Sequence, residues 1–121
     1  MSSHVNLIIG STGEKMEHIL RDMKRHTSKS ILKAIEENTQ ESRRDWMLWM
    51  FKRAGHNSNN ETYQFWQQNN HPIELFSNEV MQQKLDYIHN NPIEAEAHEY
   101  LYSSAIDYSG EKGLIDIMYI E

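Results

Sequence analysis

The stretch SNEVMQQKLDYIHNNP (77–92) constrains the fold of this chain most, because it carries signals for both ends of a helix. Ser77 or Asn78 can cap the first turn, where Glu79 is favourable beside the positive end of the helix dipole, and Pro92 stops the helix. Apolar residues at i, i+4 and i+7 predict a face that packs on a core, namely Met81, Leu85 and Ile88. The sequence therefore predicts an amphipathic helix with a defined buried side.

A second stripe of this helix is polar, with Lys84, Tyr87 and Asn91 at i, i+3 and i+7. Tyr87 and Asn91 are therefore expected to point the same way, with Lys84 one turn before the tyrosine. A phenol held near an amide oxygen and a cation is a candidate nucleophile beside a metal ligand. The alternative is a tyrosine ring packed at the core boundary and an asparagine that serves as a turn residue.

The composition predicts a globular protein with one domain, residues 1–121. Hydrophobic residues make up 38% of the 121 residues and charged residues 25%. The chain has no cysteine, so its seven histidines and its Asn, Asp and Glu residues are the candidate metal ligands. We expect no signal peptide, membrane span or membrane partner, because the sequence has neither a long apolar run nor a basic leader segment, and the lack of cysteine fits a reducing cytoplasm.

The charge of the chain is unevenly distributed. The net charge is −6, yet residues 14–53 contain ten of the twelve basic residues and only seven acidic ones. This asymmetry is compatible with a surface that faces a polyanion, although a solvated helix face has the same pattern. The candidate contacts to phosphate are basic side chains and one hydroxyl: Lys24, Arg25, Thr27, Lys29 and Lys33.

The first half of the chain predicts one strand and two helices. His4–Ile9 is rich in strand formers, and His4 and Asn6 would project from the same face, either as a ligand pair or as the polar side of an edge strand. A helix can begin at Ser11 or Thr12 and continue to Glu37. The second helix spans residues 43–54, and its tryptophans are interpreted as packing groups.

The second half contains shorter apolar segments around the helix of residues 77–92. Tyr63–Trp66 and Ile73–Phe76 are predicted as strands or extended arms on either side of a turn. The sequence after Pro92 predicts irregular or weakly helical structure. Its final apolar run, LIDIMYI (114–120), is a possible last strand or a packing arm.

Five motifs in order resemble the single-tyrosine HUH transposases, in the branch associated with repetitive extragenic palindromes. The motifs cover nearly the whole chain: HVNLII (4–9), KRHTSKSI (24–31), FWQQNNHPIEL (65–75), YIHNNP (87–92) and YLYSSAIDY (100–108). The resemblance implies an α+β fold with a ferredoxin-like core and additional helices. It also implies a protein that binds single-stranded or hairpin DNA and cleaves and rejoins it through a 5′-phosphotyrosine intermediate.

The resemblance assigns roles to individual residues. Tyr87 would be the catalytic nucleophile, and Lys84 would contact the DNA beside it. His4, Asn6 and Asn91 would bind a divalent metal, Mg²⁺ or Mn²⁺, which withdraws charge from the scissile phosphate.

Two departures from the family pattern reduce the expected activity. Asn6 stands where the family has a second histidine, so we expect weaker metal binding. The His4–Ile9 strand is usually the third of its core, so the first strand, first helix and second strand are expected to be missing, and the exposed edge would favour self-association or lower stability. Two alternatives therefore stay open, a non-catalytic DNA-binding remnant of a transposase and a protein-interaction module. Whether the protein is a homodimer is also open.

Overall fold

The computed structural model describes residues 4–56, 62–91 and 97–120, and this part of the chain is helical with no strand. The elements are α1 (Met16–Glu37), α2 (Arg44–Ala54), α3 (Asn78–His89), a 3₁₀ turn (Ala97–Glu99) and α4 (Ala105–Tyr108). None of the helices found in these ranges is long and apolar enough to cross a membrane.

The chain divides into two compact units. The α1–α2 unit is the continuous segment Gly10–His71, and the α3–α4 unit combines Met1–Ile9 with Pro72–Glu121. The predicted active-site residues and the predicted basic surface of the first helix therefore lie in different units. The assignment of the chain to a single domain stays a prediction.

The predicted α+β fold with a ferredoxin-like core is wrong. His4–Ile9 forms no ladder with any described segment, and Val5 and Leu7 remain 61% and 51% exposed. Tyr63–Trp66 and Ile73–Phe76 also form no strand, so the strand alternative is wrong for both and the alternative of arms without a ladder remains. The reason is that β-branched and apolar residues favour a strand only where a neighbouring strand exists to pair with, and no described segment supplies one.

Helix α1 ends at the predicted residue, Glu37, but begins later than predicted. The Ser11 hydroxyl accepts a hydrogen bond from the Glu14 amide at 3.0 Å and donates one to the Glu14 carbonyl at 2.7 Å. These bonds close a separate turn before the helix, as serine side chains often do when they compete with helical hydrogen bonds. The helix therefore starts at Met16.

The segment after α2 ties the two helices of its unit together. The Trp66 Nε1 donates to the Thr27 hydroxyl of α1 at 2.9 Å, and the Gln64 amide donates to the Phe51 carbonyl of α2 at 3.0 Å. The rings of Phe51 and Phe65 are 5.0 Å apart. Trp66 is thus a packing residue, whereas the packing interpretation is wrong for Trp46 and Trp49 of α2, which are 58% and 55% exposed.

Gly55, directly after α2, lies in close contact with the returning chain. A Cβ atom at this position would be 2.5 Å from the Thr62 carbonyl oxygen and 2.7 Å from the Tyr63 Cα. Because both are backbone atoms, neither can move without shifting residues 62–66, whose hydrogen bonds connect α1 and α2. Only glycine fits here.

We therefore expect Gly55→Ala to lower the free energy of unfolding of the α1–α2 unit by about 1–3 kcal/mol, the usual cost of overpacking. Urea denaturation followed by far-UV circular dichroism measures this change. Gly10→Ala is the control, because a Cβ there has no atom within 4 Å. If Gly55→Ala is no less stable than Gly10→Ala, the described contact is wrong.

The α3–α4 unit has a small core. Among the described residues of this unit, the buried apolar ones are Leu85 of α3, at 5% exposure, and Ala105 and Ile106 of α4, at 6% and 9%. The predicted cap of α3 is confirmed, because the Ser77 hydroxyl accepts a hydrogen bond from the Val80 amide at 3.3 Å. The predicted stop at Pro92 lies outside the described residues.

The final apolar run is an irregular packing arm rather than a strand. The Tyr119 hydroxyl donates to the Asp107 carbonyl at 3.2 Å, and the Ile120 amide donates to the Tyr108 hydroxyl at 2.8 Å. Asp107 is 7% exposed, and its carboxylate accepts a hydrogen bond from the Gly113 amide at 3.1 Å. These bonds fasten the arm to α4.

Candidate functional site

The residues predicted to form a catalytic site belong to one compact unit. His4, Asn6, Tyr87 and Asn91 all lie in the α3–α4 unit, although more than half of the chain separates the first two from the others. His4, Asn6 and Tyr87 are exposed, and Asn91 is half-buried.

The Tyr87 side chain lies on the solvent side of α3. It is 62% exposed, whereas Leu85 two residues earlier is 5% exposed. Its hydroxyl makes no hydrogen bond within the described ranges, and Lys84 is half-buried one turn before it. A core-boundary role does not account for this position, because most of the ring is in solvent. The phenol is accessible to a substrate as large as DNA.

Asn91 follows α3 and carries an amide with unused hydrogen-bonding capacity. Its backbone amide donates to the Ile88 carbonyl at 3.4 Å, while its side-chain Nδ2 is buried and has no partner among the described residues. An unpaired buried amide group costs about 1–3 kcal/mol. Since the two ends of an amide side chain are assigned from their hydrogen bonds, either Nδ2 or Oδ1 can occupy this buried position.

The predicted metal ligands carry no negative charge. Among the described residues, no group of three or more His, Asp or Glu side chains is arranged to hold a metal ion. The predicted set instead consists of one imidazole and two carboxamides, His4, Asn6 and Asn91. Because Mg²⁺ sites usually include carboxylates together with substrate phosphates, this donor set fits a divalent cation only if a DNA phosphate supplies the negative charge.

Three of the predicted DNA contacts lie on one face of α1. Arg25, Lys29 and Lys33 follow each other at intervals of four residues, and Arg21 extends the row by one more interval. We call these four residues the α1 basic stripe. Arg21 was not among the predicted DNA contacts, although its four-residue spacing from Arg25 is visible in the sequence.

The cations of the α1 basic stripe differ in their ion pairs. The Arg21 guanidinium is 2.9 Å from the Asp22 carboxylate, and this hydrogen bond lowers the pKa of the Asp22 carboxyl. Lys33 is 3.8 Å from Glu37. Arg25 and Lys29 are exposed and form no ion pair with a described carboxylate. The middle of the stripe is therefore available to bind an anion.

Two other predicted DNA contacts have internal hydrogen bonds. The Lys24 ammonium donates to the Gln67 carbonyl at 2.7 Å. The Thr27 hydroxyl donates to the Met23 carbonyl at 2.7 Å and accepts from the Trp66 Nε1. Both side chains therefore stabilise the α1–α2 unit. Because their hydrogen-bond donors are used within the protein, they are less available to bind a DNA phosphate.

A second polar cluster was not predicted from the sequence. The His89 Nε2 is 2.9 Å from the Ser104 hydroxyl, and the His89 ring meets the Tyr108 ring edge-on at 5.1 Å. Burial lowers the pKa of His89, and the nearby Asp86 carboxylate opposes this only in part. The carboxylate nearest in effect to the His89 imidazole is that of Asp86, which is exposed. The His89–Ser104 pair therefore lacks the buried acid of a Ser-His-Asp triad. Its role is to join α3 to α4.

Comparison with protein-family models, curated proteins and solved structures finds no match to this chain. The transposase family indicated by the ordered motifs therefore stays a prediction, and the functional argument depends on the residues themselves.

Proposed function

We propose that this protein binds single-stranded or hairpin DNA and cleaves and rejoins it through a 5′-phosphotyrosine intermediate at Tyr87. The observation that carries the proposal is the exposure of the phenol, which is 62%, on a helix whose first turn is capped by Ser77. A capped helix presents the hydroxyl on a rigid element, and its exposure allows a phosphate to approach.

The chemistry is a transesterification. The Tyr87 oxygen attacks the phosphorus as the phenolic proton is lost to solvent, and an O–P bond forms while the bond from phosphorus to the 3′ oxygen breaks. The 3′ oxygen leaves and takes up a proton. Attack of a 3′ hydroxyl on the phosphotyrosine reverses these changes and rejoins the strand, so the sequence needs no oxidant and no external energy source.

The proposed cofactor is Mg²⁺ or Mn²⁺, held by His4, Asn6 and Asn91 together with a DNA phosphate. When bound, the cation withdraws charge from the phosphate that is being cleaved. The Asn91 side-chain Nδ2 has no partner among the described residues, so its carboxamide is not committed to another hydrogen bond there. Lys84 adds a positive charge one turn from the tyrosine.

The α1 basic stripe is proposed to supply most of the affinity for DNA. Residues four apart on a helix rise by about 6 Å. Phosphates of a stacked strand are about 3.4 Å apart along the axis, so alternate phosphates recur at a similar interval. The exposed Arg25 and Lys29 can therefore meet phosphates of one strand with little rearrangement.

A second candidate function is DNA binding without catalysis. The observation that favours it is the asparagine at position 6, since an amide oxygen is a weaker metal donor than the imidazole nitrogen of the family pattern. In that case the α1–α2 unit alone would carry the function.

A protein-interaction module is the remaining alternative, and exposed apolar side chains such as Phe76 (82%) and Met118 (90%) support it. A cytoplasmic location and a homodimer also belong to the proposal.

Salt dependence tests the DNA-binding part. The variant with Arg25, Lys29 and Lys33 all changed to Gln is expected to bind a single-stranded oligonucleotide more weakly, regardless of sequence, because three phosphate contacts are lost. Each lost contact should flatten the plot of log affinity against log salt by about 0.7, giving a change of roughly 2 in slope. Fluorescence anisotropy of a labelled strand at several salt concentrations measures it.

The matched control is Lys112→Gln. Lys112 is an exposed cation in the other unit and forms an ion pair with Asp116. Its removal should leave affinity and salt dependence nearly unchanged. An unchanged slope in the triple variant would contradict the proposal and favour the interaction module.

A further inference from the structure

The exposed face of α2 contains a small pocket that the proposed function does not use. It has a volume of about 310 Å³ and is lined by Trp49, Lys52, Arg53 and His56. These residues follow each other at i, i+3, i+4 and i+7, so the described lining consists of one face of α2 and of His56, two residues beyond its end. The volume is at the lower end of the range of small-ligand sites.

The pocket combines an aromatic surface with positive charge. The Arg53 guanidinium lies over the Trp49 ring at 5.2 Å from the ring centre, so a cation–π contact holds the indole in place. Trp49 nevertheless remains 55% exposed, which leaves a large part of its side chain for a ligand. Lys52 and Arg53 form no ion pair with a described carboxylate, and none of the described residues that line the pocket is acidic.

The position of the pocket is fixed by the packing beneath it. Gly55 separates His56 from the end of α2 and contacts the backbone of Thr62 and Tyr63 too closely to accept a side chain. The Gln64 amide bonds the Phe51 carbonyl of the same helix. These contacts fix the end of α2 that carries the lining residues. Because the site is already ordered, less entropy is lost when a ligand binds.

We propose that this pocket binds one unpaired nucleotide of a single strand, with its base stacked on Trp49 and its phosphate contacted by Lys52 and Arg53. Aromatic side chains beside cations bind single strands in this way, since every base has a face that can stack and every nucleotide has a phosphate. The proposal rests on the proposed binding of single-stranded DNA, to which it adds a recognition site for unpaired bases. Paired bases of a hairpin stem could not enter, so the pocket selects loops and ends.

The test compares a short oligothymidine with an abasic strand of the same length and charge. The wild-type protein is expected to bind the base-containing strand more tightly, by about fivefold or more for one stacked base. Trp49→Leu should remove this preference by weakening binding to oligothymidine while leaving the abasic strand unchanged. Trp49→Phe keeps an aromatic ring and should retain part of the preference, which separates stacking from a loss of folding.

The control is Trp46→Leu, which removes an equally exposed indole from the same helix outside the pocket lining. It should keep the full preference. Equal binding of both strands by the wild-type protein, or an equal loss in Trp46→Leu and Trp49→Leu, would overturn the pocket assignment.

The two proposals fail in different ways. If the triple Gln variant of the α1 basic stripe weakens binding to both strands while Trp49→Leu changes nothing, the pocket proposal is wrong and the DNA-binding proposal stands. If Trp49→Leu removes the base preference but the stripe variant has wild-type affinity, the pocket stands and the stripe does not bind DNA.

Discussion

Replacing Tyr87 with phenylalanine is expected to abolish the covalent protein–DNA adduct completely. Phenylalanine keeps the ring but lacks the oxygen that attacks phosphorus, so no substitute nucleophile remains at this position. Tyr87 is 62% exposed, and its hydroxyl makes no hydrogen bond in the described part of the chain. The change in folding stability should therefore stay within about 0.5 kcal/mol, as for other surface substitutions.

The measurement is an adduct that survives denaturing electrophoresis. A hairpin strand labelled at its 3′ end is incubated with the protein and Mn²⁺, because the proposed linkage joins the tyrosine to the 5′ phosphate of the downstream piece. Tyr102→Phe is the control, since Tyr102 is an exposed tyrosine of the same unit and should not affect the adduct. An adduct that persists in Tyr87→Phe would show that another residue is the nucleophile. Absence of an adduct in the wild-type protein, with binding retained, would support the non-catalytic alternative.

Replacing Leu85 with alanine is expected to unfold much of the α3–α4 unit. Truncation of a buried leucine costs about 2–5 kcal/mol, and the cost is highest where the neighbours cannot close the cavity. Leu85 is the most buried apolar residue in the described chain, and only Ala105 and Ile106 share its burial class among apolar side chains. Small domains have little stability to spare, so a loss of this size is a large fraction of the total.

Near-UV circular dichroism measures this effect well, because the tyrosine rings of the unit pack against one another. The Tyr108 and Tyr119 rings are 5.1 Å apart, and their signal should be reduced in Leu85→Ala at low urea concentration. Leu114→Ala is the matched control, since Leu114 belongs to the same unit and is 62% exposed. Equal destabilisation by both substitutions would mean that Leu85 is not at the centre of a core.

The sequence predicted those elements whose signals are local. Ser77 caps α3 as expected, because a hydroxyl bonds an amide three residues away and needs no distant partner. The end of α1 at Glu37 and most of α2 also followed from helical periodicity. The start of α1 was missed because Ser11 formed a local turn that competes with the helix.

The other errors concern features that depend on distant parts of the chain. Residues 4–9 have strand propensity, but a strand also requires a partner, and propensity alone does not supply one. Trp49 could pack inside or face solvent, and its position in a helical period did not distinguish these outcomes. The pairing of His89 with Ser104 joins the last residue of α3 to the residue before α4, fifteen positions away, so no spacing rule indicates it.

The division into two units has a consequence for the order in which the protein folds during synthesis. The α1–α2 unit is one uninterrupted segment, so it can form as soon as His71 has left the ribosome. The α3–α4 unit contains residues from both sides of that segment. Its N-terminal part, Met1–Ile9, therefore cannot pack until the residues after His71 have been synthesised. Prior folding of the intervening unit shortens the loop that has to be closed and lowers the entropy lost in closing it. We therefore expect the α1–α2 unit to fold first and the α3–α4 unit to assemble after it.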